Sequence, residues 1–285
     1  MAAGQGSMNF KVLGLSAWGR GFTSPAELAA LVDGGDATEA EFVVPKPEAI
    51  SSRERRRAGL LINLAVMVAH QACEDGRVNK AEVPSVFVSA MGDTDITDYM
   101  CRKLAQPEKM LSPTKFHNSV HNAPSGYWSI SAENRSPSTF VGAAQHSFGA
   151  GLLEAVSQAN GADGPVLLVG YDIANKLPFS DVFAIAEHLA CALVVAPEGF
   201  EAQSSQQAVD VSLEFAAGDA PQPQPPETPA LAAIARANPQ GVGLALIEKL
   251  LQARNGKLDM PVGYTLPAAR SLALQLSIQP AATVD

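Results

Sequence analysis

The sequence predicts an α/β domain with helices buried between sheet layers, and three observations carry that prediction. Pro165–Val169 and Leu189–Val195 are continuous apolar runs, as expected of strands covered on both faces. A helix over 55–73 is apolar nearly all round, the mark of a helix packed between layers. Strand and helix patterns also alternate along the chain, punctuated by Gly and Pro.

Taken in order, Phe10–Leu15 is the first strand, ending in a loop at Trp18-Gly19-Arg20-Gly21. Ser24-Pro25 opens a short helix over 26–32, which Gly34-Gly35 ends. Arg55, Arg56 and Arg57 lead into the apolar helix, whose polar interruptions, Asn63 and His70, share one side. Val86–Ala90 is a buried strand and 95–105 a helix. The stretch 106–125, dense in His, Asn, Ser and Pro, is expected to be irregular. A second buried helix follows over 142–159, with Gly149, Ala150 and Gly151 allowing close approach of neighbouring backbones. A helical Gly costs about 1 kcal/mol relative to Ala, so packing must compensate.

Val209, Val211, Leu213 and Phe215 alternate with polar residues, and so do Leu272, Leu274, Leu276 and Ile278. These are strands with one wet face, towards a sheet edge. A last, amphipathic helix over 242–254 is closed by Asn255-Gly256. The expected organisation is a leader or disordered stretch over 1–7 and an α/β domain over 8–217. A mobile proline-rich surface connection over 218–229 and a helix–strand tail over 230–285, packed on the same domain, complete it.

With 285 residues, 47% hydrophobic, the chain can bury a proper core and is no disordered tail. A net charge of -9 argues against nucleic-acid binding, which relies on Lys and Arg. Only 17% of residues are charged, against about 25% in ordinary soluble proteins. A partner covering part of the surface accounts for such a deficit. Cys73, Cys101 and Cys191 are far apart with no CxxC pair, which fits a reducing compartment. The longest apolar stretch, 60–69, is too short to span a bilayer, and no signal-peptide pattern opens the chain. A cytoplasmic protein without a membrane span is expected.

Catalytic motifs are scarce. His117 and His121 have the four-residue spacing of helical metal ligands, but Pro113 and Pro124 argue against a helix there, so no metal site is expected. The phosphate-binding and dinucleotide-binding glycine patterns are missing, so no cofactor is expected. The Gly-x-Ser-x-Gly elbow is missing too, and Ser147 and Ser157 lack an evident base. Cys73 and Cys191 sit in apolar surroundings that keep a thiol protonated, and Cys101 lies mid-helix, so all three are expected to be structural.

The run Leu111-Ser-Pro-Thr-Lys-Phe-His-Asn-Ser-Val-His-Asn-Ala-Pro-Ser-Gly-Tyr-Trp-Ser-Ile130 resembles the stretch of β-ketoacyl synthases that precedes their active-site cysteine. In those enzymes Thr-Ala-Cys follows, then four residues and His-x-x-Gly. Here Thr139, Phe140 and Val141 stand in the Thr-Ala-Cys place, with His146 and Gly149 in register. The resemblance therefore puts Val141 at the nucleophile position. The histidine and glycine-rich motifs of the synthases' second half are absent from the chain. Together with the Arg-Arg-Arg run and Ala150-Gly-Leu-Leu-Glu-Ala155, this pattern resembles the short chain length factors of aryl polyene and related polyketide or fatty-acid-type pathways.

The resemblance implies a thiolase-like layered α/β/α fold, corresponding mainly to the N-terminal half of a ketosynthase. It also implies a non-catalytic subunit paired with a catalytic ketosynthase, as a heterodimer or a dimer of heterodimers, meeting an acyl carrier protein through that complex. Carried onto this chain, His117, Asn118, Val120, His121, Asn122 and Gly126 are interface or tunnel residues. Thr139, Phe140, Gln145, His146 and Gly149 surround the degenerate site. Length control there is steric: a methylene is worth about 1 kcal/mol of selectivity, so a real blockage is needed. Valine supplies neither the thiolate nor the base that Claisen condensation requires. The helix expected from Gly142 would keep its N-terminal amides. Two alternatives stay open: a stand-alone acyltransferase or thioesterase using His121 or His146 as base, and a homodimeric acyl-binding protein.

Overall fold

The computed structural model describes residues 7–35, 37, 39–202, 208–217 and 222–281. Residues 1–6 of the expected leader and 218–221 of the proline-rich connection lie outside the described residues.

Strand β1 (Met8–Trp18) is followed by α1 (Pro25–Val32), whose Ser24 hydroxyl accepts the Glu27 amide. Helix α2 (Ser52–Asp75) is interrupted at Gly59, where φ is +78°, a conformation that glycine adopts without steric penalty. Side-chain amides cover carbonyls near this break: Asn63 donates to the Arg55 carbonyl at 3.1 Å and Asn118 to the Arg57 carbonyl at 2.6 Å. Strand β2 (Ser85–Val88) and α3 (Thr94–Leu104) come next.

The stretch expected to be irregular instead holds α4 (Pro113–Asn118) and the start of α5 (Ala123–Ser131). Pro113 and Pro124 stand in the first turns of these helices, where a missing N–H is no loss and the fixed φ suits the helix. The prolines that argued against a helix open one each. Strand β3 (Ser138–Val141) and a tight turn at Ala144–His146 precede α6 (Ser147–Ala162). That helix thus begins at Ser147 and not at Gly142, because the strand and turn take up the intervening residues.

Strands β4 (Val166–Asp172), β5 (Leu189–Pro197) and β6 (Val209–Ala217) follow. Helix α7 (Pro229–Arg236) takes the last residue of the expected proline-rich connection. Just before it, the Glu227 and Thr228 amides donate to the Glu248 carboxylate at 2.6 and 2.9 Å. That carboxylate belongs to α8 (Gly241–Arg254), which is buried on nearly all sides and is not amphipathic as expected. Its buried Lys249 reaches Glu227 at 3.3 Å, so both of its central charges are matched. Strands β7 (Val262–Ala269) and β8 (Leu272–Ile278) end the described chain.

Among the described residues the strands form one sheet in the order β3-β2-β4-β5-β1-β6-β8-β7. Strand β2 runs parallel to β3 and β4, and every other pair is antiparallel. In β5, Leu189, Cys191, Leu193 and Val195 face the core around α6 and α8, while Ala190, Ala192, Val194 and Ala196 face that around α2. Covered on both sides, the strand is apolar throughout. Full burial of each large aliphatic side chain contributes about 1.5–3 kcal/mol. Helix α6 lies inside the curl of the sheet, touching β2, β4 and β5 on one side and β7 on the other. At Gly149 the approach is so close that a Cβ would fall 2.1 Å from the Pro267 carbonyl oxygen.

Candidate functional site

Helices α4 and α5 and the start of α2 enclose a cleft of about 540 Å³. Four of the residues implied by the resemblance line it: His117, Val120, Asn122 and Gly126. Its rim is open, with Val120 52% and Ile130 78% exposed, and Phe116, next to His117 on α4, is exposed as well. Exposed large apolar side chains gathered in one region make this a candidate surface for a partner or ligand. Asn118 and His121 do not line the cleft. Asn118 is buried and its side-chain amide holds the Arg57 carbonyl, while His121 stacks on Phe140. His117 packs edge-on against Tyr127. The two histidines thus rest on different aromatic rings. Among the described residues no group of three or more His, Cys, Asp or Glu is placed to hold a metal ion.

Strand β3 is the edge of the sheet, and Val141 is its last residue, paired in register with Val88. The Val141 side chain packs against the core around α6, and that of Phe140 against the core around α2. Thr139 accepts a hydrogen bond from the Gln158 amide at 3.0 Å. Gln145 is exposed in the turn, and His146 precedes α6 with a buried Nδ1 that has no partner. No cysteine occurs between Ser138 and Ser147.

A buried carboxylate organises the loop behind this turn. Asp172, at the end of β4, accepts from the Ser89 hydroxyl at 2.7 Å and the Gln240 amide at 2.6 Å. It also accepts from the Ala90 and Met91 backbone amides. Burial raises its pKa, and the hydrogen bonds from Gln240, Ser89, Ala90 and Met91 oppose the rise. Ser89 in turn connects to the turn, because its carbonyl lies 3.3 Å from the Ser147 hydroxyl. Sequence reasoning missed this network. The available signal was a lone Asp closing the apolar run of β4.

It also missed a serine–histidine pair. Ser131, on the wall of the cleft, has its hydroxyl 3.0 Å from His70 Nε2. On the other side of the ring, Lys80 Nζ lies 3.4 Å from Nδ1. An ammonium only donates, so Nδ1 accepts, the ring proton sits on Nε2, and Nε2 donates to Ser131. The Ser131 hydroxyl donates to the Trp128 carbonyl at 3.0 Å. Burial, and then Lys80, push the His70 pKa down to about 4. A ring so protonated and so reluctant to become cationic cannot take a proton from the serine. The pair holds α5 to α2 and is no nucleophile–base couple.

The cysteines offer no nucleophile in the interior. Burial pushes the Cys73 thiol up to about 12 and raises that of Cys191 further, while Cys101 is exposed on α3.

The chain belongs to the beta-ketoacyl synthase family: the model of that family's N-terminal domain matches residues 34–252. No curated protein matches the sequence. Among solved structures, a chain of the ketosynthase (ApeO) in complex with its chain length factor (ApeC) from Xenorhabdus doucetiae is 20% identical. The match has a TM-score of 0.68 and covers 95% of this chain and 99% of that one. The ishigamide ketosynthase/chain length factor is 14% identical, with a TM-score of 0.66 over 96% of this chain and 100% of that one. A beta-ketoacyl synthase from Burkholderia phymatum STM815 is 11% identical, with a TM-score of 0.68 over 96% and 100%. At these identities the likeness is one of fold, and the fold is the thiolase-like layered α/β arrangement. No described helix is long and apolar enough to cross a membrane.

Proposed function

We propose that the chain is a non-catalytic chain length factor, the partner of a catalytic β-ketoacyl-ACP synthase in an aryl polyene or related polyketide or fatty-acid-type pathway. The observation that carries this reading is the open cleft lined by His117, Val120, Asn122 and Gly126, set beside an edge strand with no cysteine at its end. A partner docked over Val120, Ile130 and Phe116 would close the cleft into a tunnel and remove their apolar surface from water. The outer edge of β3, unpaired among the described residues, adds backbone groups that an approaching chain can satisfy. The structures of ApeO with ApeC and of the ishigamide ketosynthase/chain length factor support this reading by likeness of fold. So does that of AntDE:AntF, an acyl-carrier protein in complex with its ketosynthase.

The mechanism is steric. The partner's thiolate holds the growing acyl chain, and side chains at the closed end of the cleft stop its advance. Against a self-sufficient acyltransferase, no hydrogen bond among the described residues joins His121 or His146 to a serine or cysteine side chain, and the His70 ring donates to Ser131 instead of accepting from it. Reconstitution with a catalytic ketosynthase, acyl carrier protein and malonyl units tests the reading. Elongated product should require both subunits, and condensation by the isolated chain would refute the non-catalytic role.

A further inference from the structure

We propose that Ala144, rather than Val141, stands where this fold presents a nucleophile, and that the strained turn of that site persists although no nucleophile occupies it. The inference rests on the reading of the chain as a ketosynthase-like subunit without its own nucleophile. Four non-glycine residues among those described have positive φ: Arg77, Glu133, Ala144 and Asp163. Three of them lie within two residues of the ends of α2, α5 and α6, where a left-handed residue ordinarily closes a helix. Ala144, at φ +48°, stands before a helix, between β3 and α6. Alanine has no polar side chain to offset the clash of its Cβ in that region. Backbone strain of this kind survives only where its surroundings impose it, and it collects at functional sites.

The surroundings do impose it. The buried Ser147 hydroxyl accepts the Ala143 amide at 2.9 Å and donates to the Ala144 carbonyl at 2.7 Å. Ser147 is in turn held near Ser89, and Ser89 by Asp172. A sharp strand-to-helix turn with its central residue lifted into solvent is how a fold exposes a nucleophile close to helix amides. Ala144 is exposed, whereas Val141 is fixed in the strand ladder with its side chain against the core.

The test uses the isolated full chain, so a failure to pair with any ketosynthase leaves its readout intact. In a Cys101→Ser background, which removes the exposed native thiol, the variants Ala144→Cys, Val141→Cys and Gln145→Cys are alkylated with iodoacetamide across a pH series. In the reaction the thiolate forms the sulfur–carbon bond and iodide leaves. Followed by intact mass, the thiol at 144 should titrate about one pH unit or more below the ordinary value of about 8.5. It should also react several-fold faster at pH 7 than the thiol at position 145, which is exposed too, with position 141 slowest. A thiol at 144 that titrates like the one at 145, or reacts more slowly than the one at 141, overturns the proposal. If Ala144→Cys does not fold, Ala144→Gly decides. Relief of the strain should raise Tm by about 2 °C, and a lower Tm overturns the strained turn.

Discussion

The imidazole of His121 lies on the ring of Phe140, with 5.0 Å between centroids and 25° between planes. The contact joins the segment that carries the cleft to the edge strand of the sheet. Gly92 makes room for it, since a Cβ there would come within 3.2 Å of His121 Nδ1. His121→Ala should therefore cost about 0.5–1.5 kcal/mol in chemical denaturation. Hydrogen exchange should also quicken in residues 119–122 more than in β4. Uniform exchange across the chain would show that the stack does not tether this segment.

Two of the three glycines of helix α6 are in opposite situations. A Cβ at Gly149 would meet the backbone of Pro267, which cannot swing aside, whereas one at Gly161 would meet nothing within 4 Å. Gly149→Ala should lose about 1–3 kcal/mol or more through overpacking. Gly161→Ala should be neutral or gain up to about 1 kcal/mol from helix propensity. Paired urea titrations of the two variants check the contrast, and equal midpoints would contradict the close approach of α6 to β7.

His70 makes stability depend on pH in a definite direction. Its folded pKa is about 4, below the ordinary 6.5, because of burial and then Lys80. The unfolded chain thus takes up this proton first, and stability falls as pH drops from about 6.5 towards 4. Above that window the contribution is complete. His70→Gln should flatten the profile between pH 6.5 and 4 by up to one proton of slope. An unchanged slope would show that another group carries the transition.

Gly126 faces open space in the wall of the cleft, with nothing within 4 Å of an added Cβ. Gly126→Phe should leave folding intact and shorten the products of the reconstituted ketosynthase pair, read by mass spectrometry of released acyl chains. Val120→Trp should act in the same direction. An unaltered length distribution in both variants, with complex formation preserved, would remove the cleft from the tunnel.

Much of the fold was legible because its signals are local. The apolar runs of β4 and β5 reflect helices on both faces, and Ser24-Pro25 states the start of α1 outright. What stayed hidden depends on partners distant in sequence. Helix α8 reads as amphipathic in sequence, yet its charged Glu248 and Lys249 are buried against Glu227 and Thr228, some twenty residues earlier and just before α7. Strand β7 carries Gly263 and Pro267, which mask its pattern. Pro113 and Pro124 look like helix breakers in sequence, and only their place in the first turns of α4 and α5 makes them helix openers.

The site divides in the same way. His117, Val120, Asn122 and Gly126 come together because they lie on consecutive turns of one short segment, which sequence shows directly. Whether a side chain within that segment faces the cleft or turns away is decided by remote residues, Arg57 for Asn118 and Phe140 for His121. Asp172 draws its partners from Ser89 and Gln240, and His70 meets Ser131 across two helices. No spacing rule reaches that far.

The most direct measurement is co-expression with a catalytic ketosynthase from the same pathway, followed by size-exclusion chromatography with light scattering. The account predicts a stable complex with the two chains in equal number, in which Val120 and Ile130 become protected from solvent. A chain that remains monodisperse on its own and ignores the ketosynthase would contradict it.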